Sequence, residues 1–302
     1  MSICPASGFF IQSQPGGGHD HGNFEVVIPT ALPNGGFSHY WRNNAASGLP
    51  WSKPIIFGTY RYTSIAVCES DFKSVHSNKQ FNFELLARPQ DRNQPALDFA
   101  WHENGGQWLW HGPFPLPFNK GVANPSIVAA RSWVTYGDTG PLHAVIPRAN
   151  GGFDFYSRPG PDDPTATFIW QLIDTVDGPL FQGASLILSY VHTFDHLTDI
   201  SSYGDFVVAA VAQDGTLQLF WKRFGVDPWQ GPFSFGREIL PGIFGNVFVG
   251  RPSLIQTSYN EISGPINPFA VEHYGNYDLI VPLQGGASLT SGRRMGRCQA
   301  AV

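Results

Sequence analysis

Three groups of residues in this sequence have the types and spacing for chemistry. His19-Asp20-His21 is the densest polar triplet. On a strand, His-x-His puts both imidazoles on one face and begins a metal site, while the neighbouring Gly16, Gly17 and Gly18 fit a loop equally well, and no further ligand is marked. The second group is the recurrence of Trp with Arg, as Trp41-Arg42 and as Trp221 with Arg223. Aromatic faces cover the apolar side of a sugar ring while guanidinium groups donate to its hydroxyls. The same side chains also serve packing, the indole between sheets and the arginine stem along an edge. The third group is acidic: Glu69, with Asp20 and Glu25 as recruits, for the carboxylate pair that glycoside hydrolysis needs. No G-x-S-x-G elbow and no P-loop occurs, so serine-hydrolase and P-loop nucleotide chemistry lack a motif.

Short strands must position these groups. In 302 residues there are 34 Gly and 25 Pro against 24 Phe and 9 Trp, the mixture of many apolar strands joined by tight turns. Charged residues are only 14% and the net charge is −5, so a broad basic surface is lacking and nucleic acid is not an expected partner. No run of 18 apolar residues exists, which predicts no membrane-spanning helix. The start M-S-I-C-P-A-S-G-F-F has no basic n-region, which favours a cytoplasmic location, or a secreted one if a leader was removed. Cys4, Cys68 and Cys298 match no zinc spacing, and a Cys4–Cys298 bridge stays open if the two ends meet in a closed ring.

The strands repeat. A Ser followed by apolar residues recurs at Ser7, Ser64, Ser126, Ser185 and Ser253, about 60 residues apart. A second strand follows each time, F-E-V-V-I-P from Phe24, F-E-L-L-A from Phe83, L-H-A-V-I-P from Leu142, F-V-V-A-A from Phe206 and Y-D-L-I-V-P from Tyr277. A third begins at Phe37, Leu97, Phe153 and Leu217, and a fourth is marked by Trp51, Trp110, Trp170 and Trp229, with W-x-G-P-F written twice. Units of four antiparallel strands leave an apolar face each, and radial stacking buries those faces. The expected fold is therefore all-β, a five-bladed β-propeller of four-stranded antiparallel blades forming one domain over 1–302, with a β-sandwich or two small β-domains as the competing arrangement. The fifth unit lacks its W-x-G-P-F strand, so the N-terminal residues or the tail must finish it. The first strand of each unit lines the channel, which places Cys68 and Glu69, Arg131 and Trp133, Tyr190 and His192, and Gln256 and Tyr259 around it.

The stretches G-N-F-E-V-V-I-P, G-G-F-S-H-Y-W-R-N-N and G-L-P-W-S-K-P-I-I-F-G, within 22–58, resemble the blades of lectin-like β-propeller proteins of fungi and bacteria. Some fungal proteins of this type are hetero-Diels–Alderases, which join a tropolone quinone methide to a sesquiterpene such as humulene. Resemblance to that group implies a cofactor-free pericyclase of natural-product biosynthesis with an apolar or aromatic small-molecule substrate. Catalysis would then come from holding two reactants in near-attack geometry and from hydrogen bonds to oxygens that gain charge. In that scheme Arg131, His192 and Tyr190 supply the polar contacts, Trp133 and Tyr259 the apolar wall, and Glu69 and Gln256 further substrate contacts. The alternative is a carbohydrate-binding lectin, with a glycan as partner and Trp41, Arg42, Trp221 and Arg223 as its contacts. A lectin favours repeated constellations, whereas a single pocket tolerates the unlike inner-strand residues seen here.

Overall fold

The computed structural model describes residues 8–13, 22–30, 35–73, 81–90, 97–103, 109–116, 124–129, 141–158, 169–188, 205–223, 228–235, 248–256, 277–283 and 288–293. They divide between two compact units, Met1–Asp177 and Gly178–Val302, each described by itself. The first holds three antiparallel meanders: β1 (Phe9–Gln12), β2 (Phe24–Pro29), β3 (Phe37–Arg42) and β4 (Ile55–Phe57); β5 (Tyr62–Lys73), β6 (Phe81–Pro89), β7 (Leu97–His102) and β8 (Trp110–Leu116); and β9 (Ser126–Ala129), β10 (Leu142–Pro147), β11 (Phe153–Arg158) and β12 (Gln171–Val176). The second holds β13 (Phe181–Leu188), β14 (Asp205–Ala212), β15 (Leu217–Arg223) and β16 (Gln230–Phe235), and a sheet of β17 (Ser253–Gln256), β18 (Tyr277–Pro282) and β19 (Ser288–Arg293). Four sheets are thus complete and the fifth has three strands among the described residues, so five complete four-stranded blades are not seen. The N-terminal strand β1 pairs with β2, inside the first sheet.

Burial follows from how the sheets stack. Val27, Phe37, Ile65, Val67, Phe83 and Leu85 form one apolar cluster between the first and second sheets. Leu86, Phe99, Trp101, Ile127, Ala144 and Ile146 form another between the second and third. A sheet covered on both faces has no use for alternation, and β7 is buried at all six positions. The first sheet differs: β2 and β3 alternate between buried and partly exposed residues, so one face is packed and the other open. In the second unit Val207, Val211, Leu217, Leu254, Tyr277 and Val281 make the corresponding core.

The registers test the repeat. Ser126, Ser185 and Ser253 pair with Val145, Ala209 and Ile280, the fourth residues counted from Leu142, Phe206 and Tyr277. In the second sheet that position is taken by Ala66, opposite Leu86, so Ser64 stands two residues out of phase. The two W-x-G-P-F copies match closely. Both Gly112 (φ 102°) and Gly231 (φ 114°) are left-handed, opposite register shifts at Phe99/Trp101 and Leu219/Trp221. A Cβ at Gly112 would lie 2.9 Å from the Phe99 carbonyl oxygen, and one at Gly231 2.7 Å from that of Leu219, so both positions demand glycine.

Candidate functional site

Of the residues expected around a channel, Arg131, Trp133, Tyr190, His192 and Tyr259 lie outside the described residues, as do His19, Asp20, His21, Cys4 and Cys298. Glu69 is half-buried on the edge strand β5, opposite Phe83, and Gln256 ends β17. No group of three or more metal-ligating side chains occurs among the described residues.

A repeated polar constellation stands at one end of the first two sheets. It is written N-F-E in both, Asn23-Phe24-Glu25 and Asn82-Phe83-Glu84. The Ser13 hydroxyl donates to the Asn23 carbonyl at 3.2 Å, and Ser70 lies 3.3 Å from that of Asn82 and 3.0 Å from Glu84 Oε1. Each glutamate then takes a different basic partner. Glu25 meets His39 Nε2 at 2.9 Å inside its own sheet, and the Trp110 indole N–H, from the second sheet, donates to His39 Nδ1 at 3.2 Å. An indole only donates, so Nδ1 carries a lone pair and Nε2 the proton that points at Glu25. Burial pushes the Glu25 carboxyl up to about 8, against the pull of the Ser13 hydroxyl, and holds His39 down at about 4.

Glu84 instead meets Arg158, 3.6 Å away on the third sheet, both side chains 1% exposed. Burial raises Glu84 to about 7 against the opposing charge of Arg158 and the Ser70 hydrogen bond. The guanidinium also lies over the Phe99 ring, 4.9 Å from its centroid. Glu25 and Glu84 are too deeply buried to attack or protonate a substrate; Glu84 ties the second sheet to the third, while Glu25 holds the His39 that Trp110 joins to the second sheet. The N-F-E repetition was open to inspection in the sequence, where it reads as the start of two strands.

The open face of the first sheet is the accessible polar and aromatic surface. Phe24, Arg42 and Trp51 stand directly opposite one another across β2, β3 and the bridge beyond it, and therefore share that face. Arg42 lies over the Phe24 ring at 4.3 Å, and its Nε donates to Asn44 Oδ1 at 2.8 Å. Asn44 is itself fixed, its Nδ2 donating to the Gly22 carbonyl and its backbone N–H to Asn23 Oδ1. Trp51 is 50% exposed, and Phe10, beside Phe24 at 5.2 Å, is 59% exposed. The loop leading to Trp51 is held by Asn43, whose Oδ1 accepts from Ala45 and Ala46, and by the Ser52 hydroxyl, which accepts from the Trp41 N–H.

Strand geometry separates the expected Trp41-Arg42 pair. Adjacent strand residues face opposite ways, and Trp41 points with Glu25 toward the second sheet while Arg42 points out. Trp221 and Arg223 share a face, but Trp221 packs against the core of the second unit and Arg223 stands opposite the buried Asp205. The pairing of side chains legible in the open face is therefore Arg42 with Trp51.

No protein-family model matches the chain, and no curated protein matches it. Solved structures do. BP39L lectin from Burkholderia pseudomallei aligns over 96% of this chain and 66% of its own, at 15% identity and TM-score 0.57. AofleA from Arthrobotrys oligospora aligns over 91% of this chain and 66% of its own, at 9% identity and TM-score 0.59. The lectin of Aleuria aurantia, described as a six-bladed β-propeller with a novel fucose recognition mode, aligns over 90% and 74%, at 10% identity and TM-score 0.50. The chain spans just under two thirds of the length of the first two. Among the described residues no helix is long and apolar enough to cross a membrane. The neighbours of this chain are fungal and bacterial lectin-like propellers, and its fold is an all-β β-propeller with four-stranded antiparallel blades.

Proposed function

We propose that the chain binds carbohydrate, and that the open face of the first sheet is a contact surface for it. The observation that carries this reading is the half-exposed Trp51 indole beside an arginine already oriented by Phe24 and Asn44. An aromatic face covers the apolar side of a pyranose, and a guanidinium whose entropy is already lost donates to hydroxyls at lower cost. The lectin neighbours support the same direction, one of them by its fucose recognition. Arg223 and Trp221 are not equivalent contacts in this scheme. The five repeat units are taken as one domain.

The pericyclase reading, with Arg131, His192 and Tyr190 as its polar groups, gains no support from the neighbours, and no described residue favours it. A glycan array probed with the whole chain tests the proposal: binding that Trp51→Ala weakens at unchanged melting temperature is expected. An array with no hits, beside product formation from a quinone methide and a cyclic terpene, would reverse the choice.

A further inference from the structure

We propose that the saccharide taken by this face is an acidic one, whose carboxylate is bound by Arg42; the inference rests on the carbohydrate reading above. It follows from comparing two arginines at one register. Arg42 ends β3 opposite Phe24, and Arg158 ends β11 opposite Leu142, the matching position of the third sheet. Arg158 reaches out of its own sheet to a carboxylate, Glu84, on the sheet its face is packed against. Arg42 stands on the face that is open, and among the described residues no carboxylate pairs with it. Its Nε is held by Asn44 and one face of its guanidinium lies on Phe24, and neither contact uses the Nη donors. A planar fork matches the two oxygens of a carboxylate better than it matches separate hydroxyls. Trp51, directly across the backbone from Arg42, supplies the apolar surface for the ring that bears the carboxylate. A hexuronate combines the two features in one residue, a ring face for the indole and a planar anion at its edge.

The test compares ligands that differ only in that anion: methyl glucuronide against methyl glucoside, and methyl galacturonide against methyl galactoside, titrated calorimetrically into the whole chain. At least one uronide should bind roughly tenfold or more tighter than its neutral counterpart, the worth of one charge-assisted hydrogen bond. Arg42→Gln should erase that preference, so that uronide and neutral sugar bind this variant equally, Arg42→Lys should keep only part of it, and Trp51→Ala should weaken uronide and neutral sugar alike. Melting temperatures confirm that each variant is folded. Equal affinity within both pairs, or a uronide preference that survives Arg42→Gln, overturns the acidic-sugar assignment while the carbohydrate reading stands on the neutral affinity. Failure of all four sugars together with an empty glycan array overturns both. A chain that self-associates in sedimentation and is dissociated by Arg42→Gln assigns the face to protein contact and also overturns the proposal.

Discussion

The indole N–H of Trp110 is bonded to Nδ1 of His39, and this contact fixes the tautomer of a histidine that burial keeps neutral. Protonating His39 would set an N–H against an N–H in a site where the histidine is 2% exposed. The imidazole stays neutral, and the link between the first two sheets depends on its remaining so. Trp110 is only half-buried, less than its repeated W-x-G-P-F context implies, yet its ring also stacks on Phe57 with centroids 4.1 Å apart. Trp110→Phe keeps the stack and removes the hydrogen bond, and should cost about 1 kcal/mol in urea unfolding. Trp110→Ala should cost more, about 2–3 kcal/mol, below the usual range for a fully buried aromatic. Equal stability of Trp110→Phe and wild type would show that the bond contributes nothing.

Two of the buried glutamates, Glu25 and Glu84, predict an unusual dependence of stability on pH. Glu25 and Glu84 have folded values raised to about 8 and about 7 from an ordinary 4.5, so the folded chain holds protons that the unfolded chain has released. Their contribution is complete below about pH 4.5 and is lost as pH rises through 7 and 8. His39 and His143 have folded values lowered to about 4 and about 3 from 6.5, so their contribution is complete above 6.5 and is lost on acidification. Between pH 6.5 and 8 these two histidines have stopped contributing to the slope and the two glutamates still do, so stability should fall by on the order of 2 kcal/mol. Glu25→Gln should flatten most of that slope in melting curves recorded across the window. A wild-type profile already flat from 6.5 to 8 contradicts the assignment.

Arg158 and Glu84 test the same carboxyl from its partner's side. Removing one member of a buried pair leaves the other uncompensated, at a cost of about 3–5 kcal/mol. Glu84 can escape by taking a proton, so Arg158→Met should destabilise more at pH 8 than at pH 6. The double variant Arg158→Met with Glu84→Gln should recover a large part of the loss and abolish its pH dependence. If the single variant is equally costly at both pH values, Glu84 is not the group that responds.

Much of the fold was legible because strands are written locally. Apolar runs bounded by Gly, Pro and Asn place the four strands of a blade, and two copies of W-x-G-P-F fall at equal register because a bulge and a left-handed glycine fix each of them. Register is less legible: Ser64 slips by two residues and so keeps its face, leaving no trace in the alternation. The site was hardest to read, because it depends on which face of a sheet is covered. Trp41 and Arg42 are adjacent in sequence yet point apart, and Arg42 acquires Trp51 only through a bridge across a loop. The carboxylates that looked available for glycoside chemistry turned out to include one, Glu25, whose neighbours are His39 and the second sheet rather than solvent.

A steric demand shared by Gly112 and Gly231 yields the last prediction. Each residue combines a φ above 100° with a carbonyl oxygen under 3 Å from where a Cβ would be, at 2.9 and 2.7 Å. Alanine therefore meets two separate penalties, a left-handed backbone and a clash with the third strand of the same sheet, which cannot move without breaking its pairing. Gly112→Ala and Gly231→Ala should each destabilise by more than the backbone penalty alone, which is about 1–3 kcal/mol for a residue held in a sparsely populated region. Gly48 is the control: it also has a positive φ, 81°, but nothing lies within 4 Å of its would-be Cβ, so Gly48→Ala carries only the backbone penalty. Urea unfolding of the three variants separates the terms. If Gly48→Ala costs as much as the other two, the carbonyl contact adds nothing, and the W-x-G-P-F repeat owes its glycine to the turn alone.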